Sequence, residues 1–493
     1  DKCRGREKEA TGMNHKEQIS AWVDAHREAF LEDVKTLCRI DSSKGAAEPG
    51  KPFGDGPYRA LLAAEEMLKG YGLATKNYEN YVLAADLGEG ERELDILAHL
   101  DGVPGQGDWT VTEAFEPIEK DGVLYGRGVA DDKGPAVAAL YALRAVKELG
   151  IPLKKSVRLI LGTDEESGSG CIAHYYATEK EAPCTFSPDA EYPVVNMEKG
   201  RLAGEFSLNF TAETSGARLI SLTGGSIENA VPPRASAVLA GVPRMVLDVT
   251  ADTVRKQTGL KIEISALSTR EGTAAEEQGH VTLQKVEVSG RNAHAAAPES
   301  GKNALTGLLL FVSLLPLAKN KLTEAVQGLV ALMPYGETNG KSLGVAFEDK
   351  ESGPLTLTFS KLSIDETSLH GLFDCRYPVT MDGAGLVKTC EAAFGRYGLV
   401  FDGRRLRAPH AVSADSPFVR ELNRVFEAYT GLPGGTVAMG GGTYVHDLKN
   451  GVAFGAFYPG SDTRMHAPDE QANVEELLTS AKIFAQVIVD LCG

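Results

Sequence analysis

The chain has 493 residues, 43% of them hydrophobic, and a formal net charge of -17 from 51 basic and 68 acidic side chains. That is enough apolar material for a large core and too much chain for one simple domain, so two domains are expected. So acidic a protein is a poor partner for nucleic acid or an anionic membrane, whereas small neutral or zwitterionic substrates are compatible with it.

The first dozen residues, DKCRGREKEATG, are polar and lack the apolar core of a signal peptide, and Met13 follows them. The fold is expected to begin near Asn14. Residues 16–36 carry Ile19, Trp22, Val23, Phe30 and Val34 at helical spacing, and Arg59 to Leu68 reads as a second helix ending at Gly70. Tyr81 to Leu87 and Leu94 to Leu100 read as strands split by the turn GEGE. A helix is expected over Pro135 to Leu149, then an apolar strand from Val157 to Gly162 that runs into Thr163, Asp164, Glu165 and Glu166. Strands and helices alternating in this way indicate an α/β fold, a sheet covered by helices. After Gly200 the pattern changes to α+β with antiparallel sheet: strands over Arg201 to Phe210, Val281 to Val288, Leu355 to Ser363 and Gly371 to Val379, helices over Asp252 to Gly259 and Leu305 to Leu317. The last of these is the most apolar run, yet Ser313 and Pro316 interrupt it and it falls short of the ~18 residues of a membrane span. From about Met381 the α/β pattern returns, with helices over Phe418 to Tyr429 and Glu475 to Leu491. One domain is therefore expected inside another: residues 13–200 and 381–493 form the first, and 201–380 the insertion. The seven cysteines are scattered and contain no Cys-x-x-Cys, which points to reduced thiols in a cytoplasm.

Five stretches carry candidate chemistry. His99 and Asp101 lie two apart at a strand end, so they share a side, and a carboxylate there can orient a ligating imidazole. Asp131 and Asp132 sit in the Gly-rich GRGVADDKGP before a helix. Glu165 and Glu166 follow an apolar strand, and adjacent carboxylates face different sides. Asp189 lies in SPDAEYP and His466 in GSDTRMHAPDE. Each stretch alone reads as readily as a solvated turn. Together they supply what a two-metal hydrolase needs: one shared carboxylate, a histidine and a carboxylate for each ion, and a separate base. His15, His26, His174, His280, His370 and His410 sit in no such context.

The ordered series HLDGVP, GDW, GRGVADDKGP, GTDEESG, SPDAEYP and MHAPDE resembles the carboxypeptidase-G/aminoacylase-like dinuclear metallopeptidases, and among them the dipeptidases. GGSIENAVPPRASA, GRNAHAAAPESGKNA, FDCRYP and MGGGTY extend the resemblance from about Asn14 to the C-terminus. It implies a zinc-peptidase-like catalytic domain, a central mixed sheet flanked by helices, with an inserted α+β lid. It further implies that His99 and Asp189 hold one divalent ion and Glu166 and His466 the other. Asp131 would bridge them through a cis Asp131–Asp132 peptide, and Asp101 would orient His99. Glu165 is then the general base, and a hydroxide between the ions attacks a small dipeptide with free ends, Xaa-His and β-alanyl dipeptides included. His294 and Asn229 would reach the scissile carbonyl, and Arg376 with Gly440, Gly441 and Thr443 would help hold the peptide carboxylate. Two ions are expected, zinc first, with manganese or cobalt as alternatives, in a monomeric enzyme. The alternative within the superfamily is an N-acyl-amino-acid deacylase or desuccinylase. Two positions depart from the pattern: Gly102, where larger apolar residues are frequent, and His446, where the dipeptidases tend to carry arginine.

Overall fold

The computed structural model describes residues 15–267 and 282–493. Cys3, Met13, Asn14, His280 and Val281 lie outside the described residues. Two compact units emerge from the packing: Asp1–Met197, Ala411–Val437 and Gly442–Gly493 in the first, Glu198–His410 and Ala438–Gly441 in the second.

The first unit is built on a nine-stranded mixed sheet. Seven of its strands run in the order Ala74–Tyr78, Val82–Leu87, Ser156–Gly162, Arg92–His99, Cys184–Ser187, Gly451–Phe454 and Val194–Glu198, and the short His410–Ala411 and Thr436–Met439 both pair with the last. Arg92–His99 runs parallel to both of its neighbours, and Cys184–Ser187 parallel to Gly451–Phe454. The flanking pairs are antiparallel. Residues Leu94 to His99 are buried without alternation, as in a central strand covered on both faces. Helix Lys133–Glu148 packs on this strand and on the C-terminal helix Val474–Cys492, and every residue from Lys133 to Val146 is buried. Helices Arg27–Cys38, Asp55–Gly70 and Pro417–Thr430 complete the cover. The single helix expected over 16–36 is interrupted at His26.

The second unit is a nine-stranded sheet whose pairings are all antiparallel. Strands Gly200–Asn209 and Ser368–Tyr377 pair over their full length, Gly200 opposite Tyr377 and Asn209 opposite Ser368. Helices Arg244–Thr258, Ala304–Ser313, Lys321–Leu332 and Gly383–Gly395 bury apolar faces in its core. The helix at Ala304 stops at Ser313, short of the expected Leu317, because Pro316 cannot continue it. Residues 383–407, placed in the second catalytic segment by sequence, pack here: Val400–Asp402 and Leu406–Arg407 pair with Gly200–Asn209. Among the described residues no helix is long and apolar enough to cross a membrane.

Candidate metal centre

Parallel strands that end together deliver the site. His99 is opposite Gly162, so its side chain leaves the sheet where the next strand breaks into Thr163, Asp164, Glu165 and Glu166. Cys184–Ser187, parallel on the other side, is followed by Pro188 and Asp189. The carboxyl ends of parallel strands are where open α/β sheets bind ligands. Asp131 enters from the loop before helix Lys133–Glu148, and its peptide with Asp132 is cis, as the resemblance implied. His466 comes from the loop after Ala456–Phe457 and has a positive φ of 63°.

The side chains meet as two groups, His99 with Glu165 and Asp189, and Asp131 with Glu166 and His466; within each, ligand atoms lie within 4.8 Å of one another. Asp131 joins them. Its Oδ1 is 3.0 Å from His99 Nε2, and its Oδ2 is 2.8 Å from His466 Nε2. Asp189 Oδ2 approaches His99 Nε2 to 3.7 Å, and Glu166 Oε2 approaches His466 Nε2 to 3.2 Å. Asp101 lies behind His99, Oδ1 3.5 Å from Nδ1, and its two oxygens accept the backbone N–H groups of Glu165 and Glu166 at 3.1 Å each. Asp132 Oδ2 accepts the His99 N–H at 3.0 Å.

The electrostatics are those of crowded carboxylates. Burial and repulsion by Glu166, Asp131 and Asp101 push Glu165 up to about 8, against the attraction of His99. Burial, then Asp131 and Asp132, raises Asp189 well above its ordinary value, and Glu166 is raised by burial and Asp131. Burial opposes charge on His99, but hydrogen bonds to Asp101 and Asp131 outweigh it and raise the ring. Glu166 Oε1 is buried without a hydrogen-bond partner among the described residues. Imidazole nitrogens and carboxylate oxygens packed this closely, with excess negative charge and an orphaned oxygen, fit divalent cations with mixed nitrogen and oxygen ligands.

The remaining candidates fall elsewhere. The second unit brings Asn229 and His294 together: Ala230 bridges His294, and Ala295 N–H donates to Asn229 O at 2.8 Å. His294 Nδ1 accepts from Ala296 N–H at 3.1 Å. Arg376 donates Nη1–H to Gly440 O at 2.7 Å and Nε–H to buried Asp374 at 2.5 Å, so it holds the Gly440 loop. Gly440 abuts Ala296, whose Cβ a side chain there would meet at 2.8 Å, and Gly441 follows it in the same unit. Thr443 belongs to the first unit and caps the short helix Tyr444–Asp447, in which His446 is buried. Gly102 is near open space, its nearest neighbour for a Cβ being Ser42 Oγ at 3.9 Å.

Glu470 was not singled out by sequence, and Tyr444 was read only as the end of the loop from Gly440 expected to help hold the peptide carboxylate. Glu470 is fully buried and receives the backbone of the Asp131 loop. Tyr444, also buried, sets its ring edge-on to His99 with centroids 6.1 Å apart. The PDE and GGGTY stretches contained them, but carboxylate-to-backbone pairing and ring packing leave no spacing signal.

The chain matches the family described as Peptidase family M20/M25/M40 over residues 96–490. It is 35% identical over 475 residues to the putative dipeptidase YtjP of Bacillus subtilis, covering 94% of this chain and 97% of the relative. It is 32% identical over 478 residues to the Beta-Ala-Xaa dipeptidase of Lactobacillus delbrueckii subsp. lactis, covering 95% and 97%. In three dimensions it is similar to human carnosine dipeptidase 1, with a TM-score of 0.59 at 16% identity over 97% of this chain and 98% of the other, a likeness of fold.

Proposed function

The chain belongs to Peptidase family M20/M25/M40, and we propose that it is a metal-dependent dipeptidase hydrolysing the peptide bond of dipeptides with free ends. It is a hydrolase acting on peptide bonds, with relatives named dipeptidase across nearly its whole length. The observation that carries the metal reading is Asp131, which offers one carboxylate oxygen to each of two histidines, one at a strand end and one in a distant loop.

His99 and Asp189 would hold one ion and Glu166 and His466 the other, with Asp131 available to both. Zinc is the proposed ion, with manganese and cobalt as alternatives, since all three accept imidazole and carboxylate. When bound, the ions supply Lewis acidity and make water a nucleophile near neutral pH. Glu165 takes the proton of the attacking water on its carboxylate and returns it to the leaving amine. Asp101 anchors the backbone of Glu165 and Glu166 and faces His99 Nδ1, so base and ligands keep a fixed relation. His294 and Asn229 are the residues proposed for the scissile carbonyl, and Gly440, Gly441, Thr443 and Arg376 those proposed for the substrate carboxylate. The Beta-Ala-Xaa relative makes β-alanyl dipeptides, with Xaa-His dipeptides beside them, the first substrates to test.

The test is a panel of dipeptides and N-acyl amino acids offered to chelated protein with each metal restored in turn. Dipeptide hydrolysis dependent on added metal is expected. Faster turnover of acyl-amino acids would replace this reading with a deacylase. We place the enzyme in the cytoplasm, where the six described cysteines, all free, remain thiols, and take it to be a monomer supplying its own histidine. Mixing Glu165→Ala with His294→Ala protein should then restore no activity, and recovery would show that chains share the site.

A further inference from the structure

We infer that Glu470 is a positioning residue that fixes the Asp131 loop and the His466 loop against each other. The inference rests on the reading of Asp131 and His466 as metal ligands.

Glu470 lies four positions after His466 in the same loop and is 0% exposed. Its Oε1 accepts the backbone N–H groups of Gly128, Ala130 and Asp131 at 3.0, 3.0 and 3.2 Å. Its Oε2 accepts Arg127 Nη1–H at 2.6 Å, and its own carbonyl accepts Gly126 N–H at 3.0 Å. Side chain and carbonyl of this one residue thus hold Gly126, Arg127, Gly128, Ala130 and Asp131, with Gly128 at φ 86°. The guanidinium partner is fixed in turn: Arg127 N–H donates to Ala114 O at 2.7 Å, and its guanidinium lies 5.3 Å from the Trp109 ring centre. The neighbouring Asp469 is clamped too, accepting Thr110 N–H at 2.8 Å and Val111 N–H at 3.0 Å. These contacts leave His466 Nε2 in direct contact with Asp131 Oδ2 at 2.8 Å. Burial and the nearby Asp131 work against charge on this carboxylate, and Arg127 with the backbone N–H groups of Gly128 and Ala130 works for it; both oxygens are taken up by these donors.

Only a carboxylate can do this. Both oxygens must accept, whereas an amide has one acceptor and one donor. In Glu470→Gln the NH2 group faces either Arg127 or the three backbone N–H groups, and each choice sets donor against donor. Replacing Arg127 as well removes the clash, because the amide oxygen can then turn to the backbone and its NH2 to an apolar neighbour.

The experiment titrates metal-free wild type, Asp131→Asn, Glu470→Gln and Arg127→Met/Glu470→Gln with zinc against a competing chelator, each checked as folded by circular dichroism, with kcat and KM measured at saturating zinc. Wild type should bind two ions and Asp131→Asn should bind more weakly. Glu470→Gln should lose ~10–100-fold in affinity, as outer-shell substitutions do, and lose kcat more than it changes KM. The double variant should recover at least ~10-fold of that affinity. Wild-type affinity in Glu470→Gln, alongside a weakened Asp131→Asn, overturns the inference and leaves the metal reading standing. Undiminished binding by Asp131→Asn overturns the metal reading itself. A lower melting temperature of metal-free Glu470→Gln with unchanged zinc affinity makes Glu470 structural only and overturns the inference. Should Glu470→Gln not fold, the double variant decides: binding within ~10-fold of wild type supports the role, and binding more than ~100-fold weaker overturns it.

Discussion

Glu165 and Glu166 are neighbours in sequence, yet the fold divides them between the two groups, Glu165 with His99 and Asp189, Glu166 with Asp131 and His466. Their backbones are pinned together by Asp101, so the division comes from the opposite directions of consecutive side chains. A base and a ligand make different predictions on removal. Glu165→Ala is expected to keep both ions and lose activity by ~10²–10⁴-fold, the typical contribution of a positioned general base. Turnover and metal content measured on the same sample decide it: loss of one ion with the activity would make Glu165 a ligand, and near wild-type turnover would remove it from the chemistry. At this scale the sequence was legible for residues that stand at or just beyond a strand end, as His99, Glu165 and Glu166 do, and the fold brings them into the two groups. It was silent where function needs a buried partner for backbone N–H groups. Asp101 was expected to face His99, but its two bonds to the following loop have no counterpart in spacing, and neither do those of Glu470.

Among the elements, the central strands read clearly because apolar residues dominate them, with only Asp95 and Arg158 interrupting; Arg92–His99 and Ser156–Gly162 fall within two residues of expectation. The helix Arg244–Thr258 was expected only from Asp252. Its buried stripe includes Leu247, Ala251 and Val254, but exposed Met245 and Val249 lie off that stripe and blur the period. Strands Arg218–Gly224 and Arg234–Ala240 went unread because serine, alanine and glycine give little contrast between faces. The short helix Gly170–Tyr176, which follows the Glu166 loop, is tied to the sheet just beyond its end by Glu179. That carboxylate accepts Tyr78 Oη–H at 2.6 Å, Lys76 at 3.1 Å and Arg158 at 3.2 Å. The hydrogen bond from Tyr78, with Lys76 and Arg158, lowers its pKa to about 2. A folded value below the unfolded one means full stabilisation above ~4.3, lost as pH falls towards the folded value. Glu179→Gln is therefore expected to be less stable than wild type at pH 7 by on the order of 1–2 kcal/mol, and the gap should narrow steadily as pH falls from about 5 towards about 2. Urea unfolding of both proteins across that range measures it; a gap independent of pH would show that the charge is not what Glu179 contributes.

For the molecule as a whole, the telling fact is that the two candidate ligand groups draw on one unit and on both of its main chain segments. His99, Asp131, Glu165, Glu166 and Asp189 precede Met197, and His466 follows Gly442, so an ion held between Asp131 and His466 ties together segments that the insertion separates. Closing so long a loop costs chain entropy that grows only slowly with length, so each ion's binding energy goes largely into the stability of that unit. An ion present at ~1,000 times its Kd stabilises the folded form by ~4 kcal/mol, and the second unit contains none of the six residues. Chelation is accordingly expected to act locally. Hydrogen exchange read by mass spectrometry should show faster exchange, once metal is removed, in peptides spanning the ends of Arg92–His99 and Ser156–Gly162, the Asp131 loop and the loop carrying His466. Peptides from Gly200–Asn209 and Ser368–Tyr377, paired along their whole length in the other sheet, should exchange as before. Equal acceleration in both sets would mean that the two units unfold as one body and that the ions stabilise the entire chain. Acceleration in neither would mean that the fold holds this constellation of carboxylates and histidines together without metal.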